Sequence, residues 1–141
     1  MTTIAIDPGT DQSAVVEWDG FSPTFMEILP NEQLRDWVEN RKGPSAIAVE
    51  MIASYGMPVG KEVFETCLQI GRLQEIAHVR CVPFRLVYRL HVKQHLCHDS
   101  RAKDSNIRQA LIDRFGPPGV KKAPGVLYGV KSHLWAALAV A

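Results

Sequence analysis

The chain has 141 residues, 46% hydrophobic and 22% charged, a profile that excludes a disordered or fibrous protein and predicts one domain, residues 1–141, with its own core. Its 16 basic and 15 acidic residues leave a formal net charge of +1, so only a local cluster of cations can serve a polyanionic partner. No apolar run approaches a membrane span, no basic-then-apolar leader opens the chain, and Cys67, Cys81 and Cys97 lack paired spacing; a cytoplasmic protein with free thiols is expected.

Alternation in TTIAI (Thr2 to Ile6) and SAVVEW (Ser13 to Trp18) predicts two strands joined by a tight turn at DPGTDQ. PTFMEIL (Pro23 to Leu29) follows the turn signal DGFS and completes a meander. In NEQLRDWVENR, Leu34, Trp37 and Val38 have helical spacing, with Asn31 as the expected N-cap and Gly43 and Pro44 as the stop. AIAVE (Ala46 to Glu50) is short and almost wholly apolar, a buried strand. A helix is predicted from about Pro58 to Ala77, with Val63, Phe64, Cys67, Leu68, Ile70, Gly71 and Leu73 as its apolar face. VRCVPFRLVY reads as a strand region, LHVKQHLC as a short helix, and AKDSNIRQALIDRFG as a longer helix closed by Gly116. PPGVKKAPGVLYG is predicted to be loop, and SHLWAALAVA a final helix with Ser132 as a possible N-cap.

This order predicts an α/β protein: an antiparallel three-strand meander plus parallel strands in one mixed sheet, flanked by helices. Two of the apolar strands end on a carboxylate, Asp7 and Glu50. Asp7 before Pro-Gly also fits an Asx residue opening a turn. If the first and fourth strands pair in parallel, however, both acids leave the sheet at the same end, about 4.8 Å apart from strand to strand. Burying such charges is costly unless a cation compensates them, so the pair is a candidate site for divalent metal.

Asp-Pro-Gly after the first strand, Glu ending the fourth, VKQ followed by a bend and AKD, and HLWAALAVA in the last helix together resemble the RuvC family of Holliday junction resolvases, within the ribonuclease H-like superfamily. The similarity spans most of the chain, and the short SHLWAAL ending looks most like the bacteriophage branch. The resemblance implies a homodimer, acting in a host cytoplasm if of phage origin, that cuts four-way DNA junctions symmetrically with Mg²⁺ or Mn²⁺, two ions per site, and no small-molecule cofactor. It also implies that Asp7, Glu50 and His133 are metal ligands and catalytic residues. Lys93 and Lys103 match lysines that handle phosphate. Cellular members carry a second acid three residues after the position of His133; here that residue is Ala136.

The residue types suit the chemistry. Two-metal phosphodiester hydrolysis uses ions about 3.5–4 Å apart, bridged by carboxylates, and hard oxygen ligands favour Mg²⁺ and Mn²⁺. His133 serves either as a ligand or as the base that deprotonates water. Asp104 is the candidate replacement for the acid missing at Ala136; its place at a helix start is also favourable for dipole reasons alone. Asp11 and Asp99 are weaker candidates. The HLCH run lacks the ligand-pair spacing of a zinc site.

For DNA, Arg72, Arg89, Lys93, Arg101, Lys103 and Arg108 concentrate positive charge in the second half, with Lys61, Arg80 and Arg85 nearby, and Lys121 and Lys122 extend it. Tyr55, in the loop after Glu50, either stacks on an unpaired base or packs on its own loop. The helix from Pro58 to Ala77 resembles the family's dimerisation helix. Two rivals to a junction resolvase stand beside it: a less selective nuclease for branched DNA, flaps or RNA hybrids, and a weakened junction-binding protein, suggested by Ala136.

Overall fold

A computed structural model describes all residues from Met1 to Ala141. Strands β1 (Thr3–Asp7), β2 (Gln12–Trp18) and β3 (Pro23–Pro30) form the meander, and helix α1 (Asn31–Asn40) leads to β4 (Ala46–Met51). Helix α2 (Lys61–Val79) crosses to β5 (Phe84–Tyr88), and α3 (Arg89–Cys97), α4 (Asp104–Phe115) and α5 (Leu134–Val140) follow. The sheet order is β3-β2-β1-β4-β5. β1 pairs antiparallel with β2 and parallel with β4, and β4 pairs parallel with β5. The expected mixed sheet flanked by helices is therefore present.

Side-chain alternation divides the core between the two faces of the sheet. Ile4, Ile6, Val15, Ile47 and Val49 meet Leu34 and Val38 of α1 and Ile70, Leu73 and Ala77 of α2. On the other face Ala14 and Val16 pack with Val92, Ile107, Leu111, Leu134, Ala137 and Leu138 of the later helices. Ala5 and Ala48 are also buried and, by alternation, point to this second face, which α5 covers. Small residues under α5 let the helix lie close to β1 and β2.

The turn after Asp7 is held by a buried polar network. Ser13 Oγ accepts from the Gly9 N–H and donates to Asn31 Oδ1 at 2.6 Å, while Asn31 Nδ2 donates to the carbonyls of Gly9 and Thr10, each at 2.9 Å. A Cβ on Gly9 would stand 2.3 Å from the Gln12 carbonyl oxygen, so only glycine fits.

Several expectations need correction. Asn31 is not the N-cap: Pro30 holds that place with no side-chain cap bond, because the Asn31 amide is spent on the turn. His133, not Ser132, caps α5. Helix α2 starts and ends later than predicted, so only Phe84–Tyr88 of the VRCVPFRLVY segment is strand. The segment read wholly as loop contains a two-strand ladder, β6 (Gly119–Val120) and β7 (Ala123–Pro124), with Lys121 and Lys122 at its tip. On α2, Phe64 and Leu68 are 62% and 63% exposed, while Thr66 and Gln69 are buried. Gln69 turns inward because its Oε1 accepts from Arg35 Nη1 at 2.6 Å.

Candidate active site

Three strands bring chemistry to one edge of the sheet. Ile6 lies opposite Val49 in parallel register, so Asp7 and Glu50, the next residues, leave adjacent strands side by side. Met51 lies opposite Tyr88, which places Arg89 just beyond the end of β5. The close seat of α5 supplies His133, whose Nδ1 is 3.0 Å from Asp7 Oδ2. Arg89 Nη1 donates to Glu50 Oε1 at 2.9 Å, while its Nε donates to Asp104 Oδ1 at 3.2 Å and its Nη2 forms an ion pair with the same oxygen at 2.6 Å. The guanidinium thus bridges the acid of β4 to the first residue of α4.

The Asp7 and Glu50 side chains are only 15% and 12% exposed. Burial raises the Asp7 pKa above the usual carboxylate range; the His133 hydrogen bond and the charges of His133 and Arg89 oppose the rise, and Asp104 adds to it. Glu50 is likewise raised by burial, against the pull of Arg89, and the charges of Asp7 and Asp104 push it further. Burial disfavours the Arg89 cation, but hydrogen bonds and charge from Asp104 and Glu50 outweigh burial and raise its pKa. Ala136 and Trp135 line the same cleft. Ala136, where the resemblance leads one to expect an acid, therefore falls inside the site.

The donor types suit a divalent cation: partly buried carboxylate oxygens and one imidazole. With Arg89 on Glu50 and Asp104, no three acid, histidine or cysteine side chains converge closely enough to hold an ion. Arg89 borders both the part of the cleft lined by Asp7 and His133 and the part lined by Glu50.

The other candidates fall at varied distances from this centre. Lys103 caps α4 beside Asp104, and Lys93 lies one turn along α3 from Arg89, but neither lines the cleft. Tyr55 is exposed in the loop between β4 and α2, with φ of 50°. Arg101 is exposed, and the Arg108 guanidinium lies 4.8 Å from the Trp135 ring centroid. Lys121 and Lys122 are exposed. Arg72 sits on α2, in the layer across the sheet, beside a groove that also holds Asp11. Asp99 accepts from the Arg101 N–H. Arg80 donates to the carbonyls of Val38 and Arg41, and Lys61 pairs with Glu65.

Sequence reasoning takes Arg89 for a DNA contact and passes over Trp135. A signal for Arg89 exists: it follows the third of three adjacent parallel strands, just as Asp7 and Glu50 end the other two.

The strand order, the antiparallel meander and the helices on both faces define the ribonuclease H-like α/β fold. Within it, the chain has the fold of RuvC. It matches a Thermus thermophilus RuvC structure with a TM-score of 0.73 and 23% identity, covering 100% of this chain and 91% of that one. It also matches T. thermophilus RuvC in complex with a Holliday junction substrate, with a TM-score of 0.75 and 21% identity, covering 100% of this chain and 90% of that one. No family model and no curated protein matches the chain.

Proposed function

We propose that this chain is a metal-dependent endonuclease, a single domain of residues 1–141 that resolves four-way DNA junctions as a homodimer. One observation carries the proposal: two strand-end acids lie side by side at the sheet edge with His133 3.0 Å from one of them, on the RuvC fold. Asp7, Glu50 and His133 would hold Mg²⁺ or Mn²⁺, with Asp104 within reach through Arg89. The ions would supply the activated water and the stabilised leaving oxygen of phosphodiester hydrolysis. Asp7 orients the imidazole through Nδ1; in the tautomer that donates this bond, Nε2 is free either to bind an ion or to take a proton from water. Lys93 and Lys103 flank the cleft and contact phosphate. Tyr55 meets the unstacked centre of the junction, and Arg101, Arg108 and the Lys121–Lys122 hairpin follow the arms. The SHLWAAL motif favours the bacteriophage-type branch. Free thiols at Cys67, Cys81 and Cys97 suit a cytoplasm.

No helix is long and apolar enough to cross a membrane. Ala136 in the cleft favours a second reading, junction binding with little cleavage. The deciding experiment offers a synthetic four-way junction, a flap and a duplex to the protein with Mn²⁺, measuring binding and cleavage together. The proposal expects paired cuts in the junction alone. Equal cutting of junction and flap selects a less selective branched-DNA nuclease, and tight binding without cuts selects the binding protein.

A further inference from the structure

We propose that the Arg89 guanidinium is a built-in cation that occupies the Glu50–Asp104 half of the cleft. In the DNA-free protein a divalent ion then reaches those two acids only when Arg89 is displaced. This inference rests on the metal-dependent reading above.

The geometry is specific. Arg89 uses all three nitrogens: Nη1 to Glu50 Oε1 at 2.9 Å, Nη2 to Asp104 Oδ1 at 2.6 Å, and Nε to Asp104 Oδ1 at 3.2 Å. Such charge-assisted bonds are the strongest of their kind. An ion shared by Glu50 and Asp104 would compete with Arg89 for Oε1 and Oδ1 or fall to the remaining carboxylate oxygens, and in either place would sit against a like charge. The other half of the cleft differs: His133 engages Asp7 Oδ2, and Arg89 makes no hydrogen bond to Asp7. A first ion at Asp7 therefore does not have to break the Arg89 bridge.

Ala136 strengthens the case. It borders the Glu50 side and the Asp7 side of the cleft, and its methyl group offers no ligand. A second ion would have only Glu50 and Asp104 to draw on, the two acids that Arg89 holds. The cleft thus carries one acid fewer than the resemblance implies and a guanidinium on two of the acids it has, features that act in the same direction on ion binding.

The test is Mn²⁺ binding to the full chain without DNA, followed by titration calorimetry and by the paramagnetic signal of free Mn²⁺. Wild type, Arg89→Gln and Arg89→Lys are compared, and thermal melting without metal checks that each folds. Wild type should take at most one ion per protomer in the accessible range. Arg89→Gln should take a second ion at least about tenfold more tightly than wild type, since a neighbouring like charge has gone. Arg89→Lys keeps the charge and supports the fold, but contacts one acid at a time, so its second ion should bind with intermediate strength. A second ion no tighter in either variant, or two ions of similar affinity in wild type, overturns the proposal while leaving the metal reading intact. Absence of Mn²⁺ binding in all three proteins overturns both.

Discussion

Asp7 Oδ2 and His133 Nδ1 lie 3.0 Å apart, joining the first strand to the last helix across 126 positions of sequence. Burial raises the Asp7 pKa, so its ionised form costs the metal-free fold some stability at neutral pH; the cost is absent once pH falls below the unfolded value and appears as pH rises through the folded one. Asp7→Asn should therefore melt no lower than wild type at pH 7 without metal. Its junction affinity should hold, because basic groups elsewhere supply it. Cleavage should fall on the order of a thousandfold, because the proposed metal site loses a charged ligand. Near-normal cleavage would show that IAIDPG is only a strand and a turn.

His133→Ala removes both the ring that faces Asp7 and its free nitrogen. Cleavage should drop about a hundredfold or more, the usual range for losing a general base. Because the side chain is 72% exposed, the melting temperature should barely change. A parallel fall in melting temperature and rate would make the residue structural instead.

Phe64 and Leu68 stand one turn apart on α2, 62% and 63% exposed, an apolar pair without cover in the protomer. A two-fold partner seated there buries each residue twice. Phe64→Asp should weaken the dimer about a hundredfold or more and yield monomers at micromolar concentration in light scattering. Wild-type protein that stays monomeric, with or without junction DNA, would sink the assembly.

Glu17 is buried on β2 and accepts from Arg41 Nε at 3.0 Å and from Thr24 Oγ1 at 3.1 Å. The Arg41 hydrogen bond lowers its pKa below the ordinary 4.5, with burial opposing and Thr24 assisting. A depressed folded value adds stability above the unfolded pKa, and the gain is lost as pH falls through the folded one. Arg41→Ala should thus lower the melting temperature at pH 7, and the gap to wild type should narrow below pH 4.5. A gap constant from pH 7 to pH 3 would mean that packing of Arg41 on Trp37, 5.3 Å from the ring centroid, is what the protein loses.

The strand-end acids are legible in the sequence because a carboxylate closing a buried apolar run is costly unless a cation answers it. The parallel pairing of β1 and β4, the condition under which both acids leave the sheet together, is present. The α2 faces are not legible: inward residues Ile70, Leu73 and Ala77 merge in sequence with outward Phe64 and Leu68 into one broad stripe. Polar Thr66 and Gln69 are buried through partners that sequence spacing cannot reveal, Arg35 for Gln69 and the Glu62 carbonyl for Thr66. The role of Arg89 is hidden for a different reason: an arginine near a polyanion site looks alike whether it holds phosphate or holds acids.

The alanines beneath α5 act as a spacer gauge. Ala5 pairs with Ala48 on the face that the helix covers, and nothing larger than a methyl group separates those strands from it there. Ala5→Val would insert two methyl groups and lift α5, at about 1–3 kcal/mol of overpacking. The lift would carry His133 away from Asp7 without touching either side chain. A search for cleavage-dead variants that still fold and bind DNA should therefore recover substitutions at Ala5 and Ala48 alongside the polar ones, since the thickness of this core sets the reach of the imidazole.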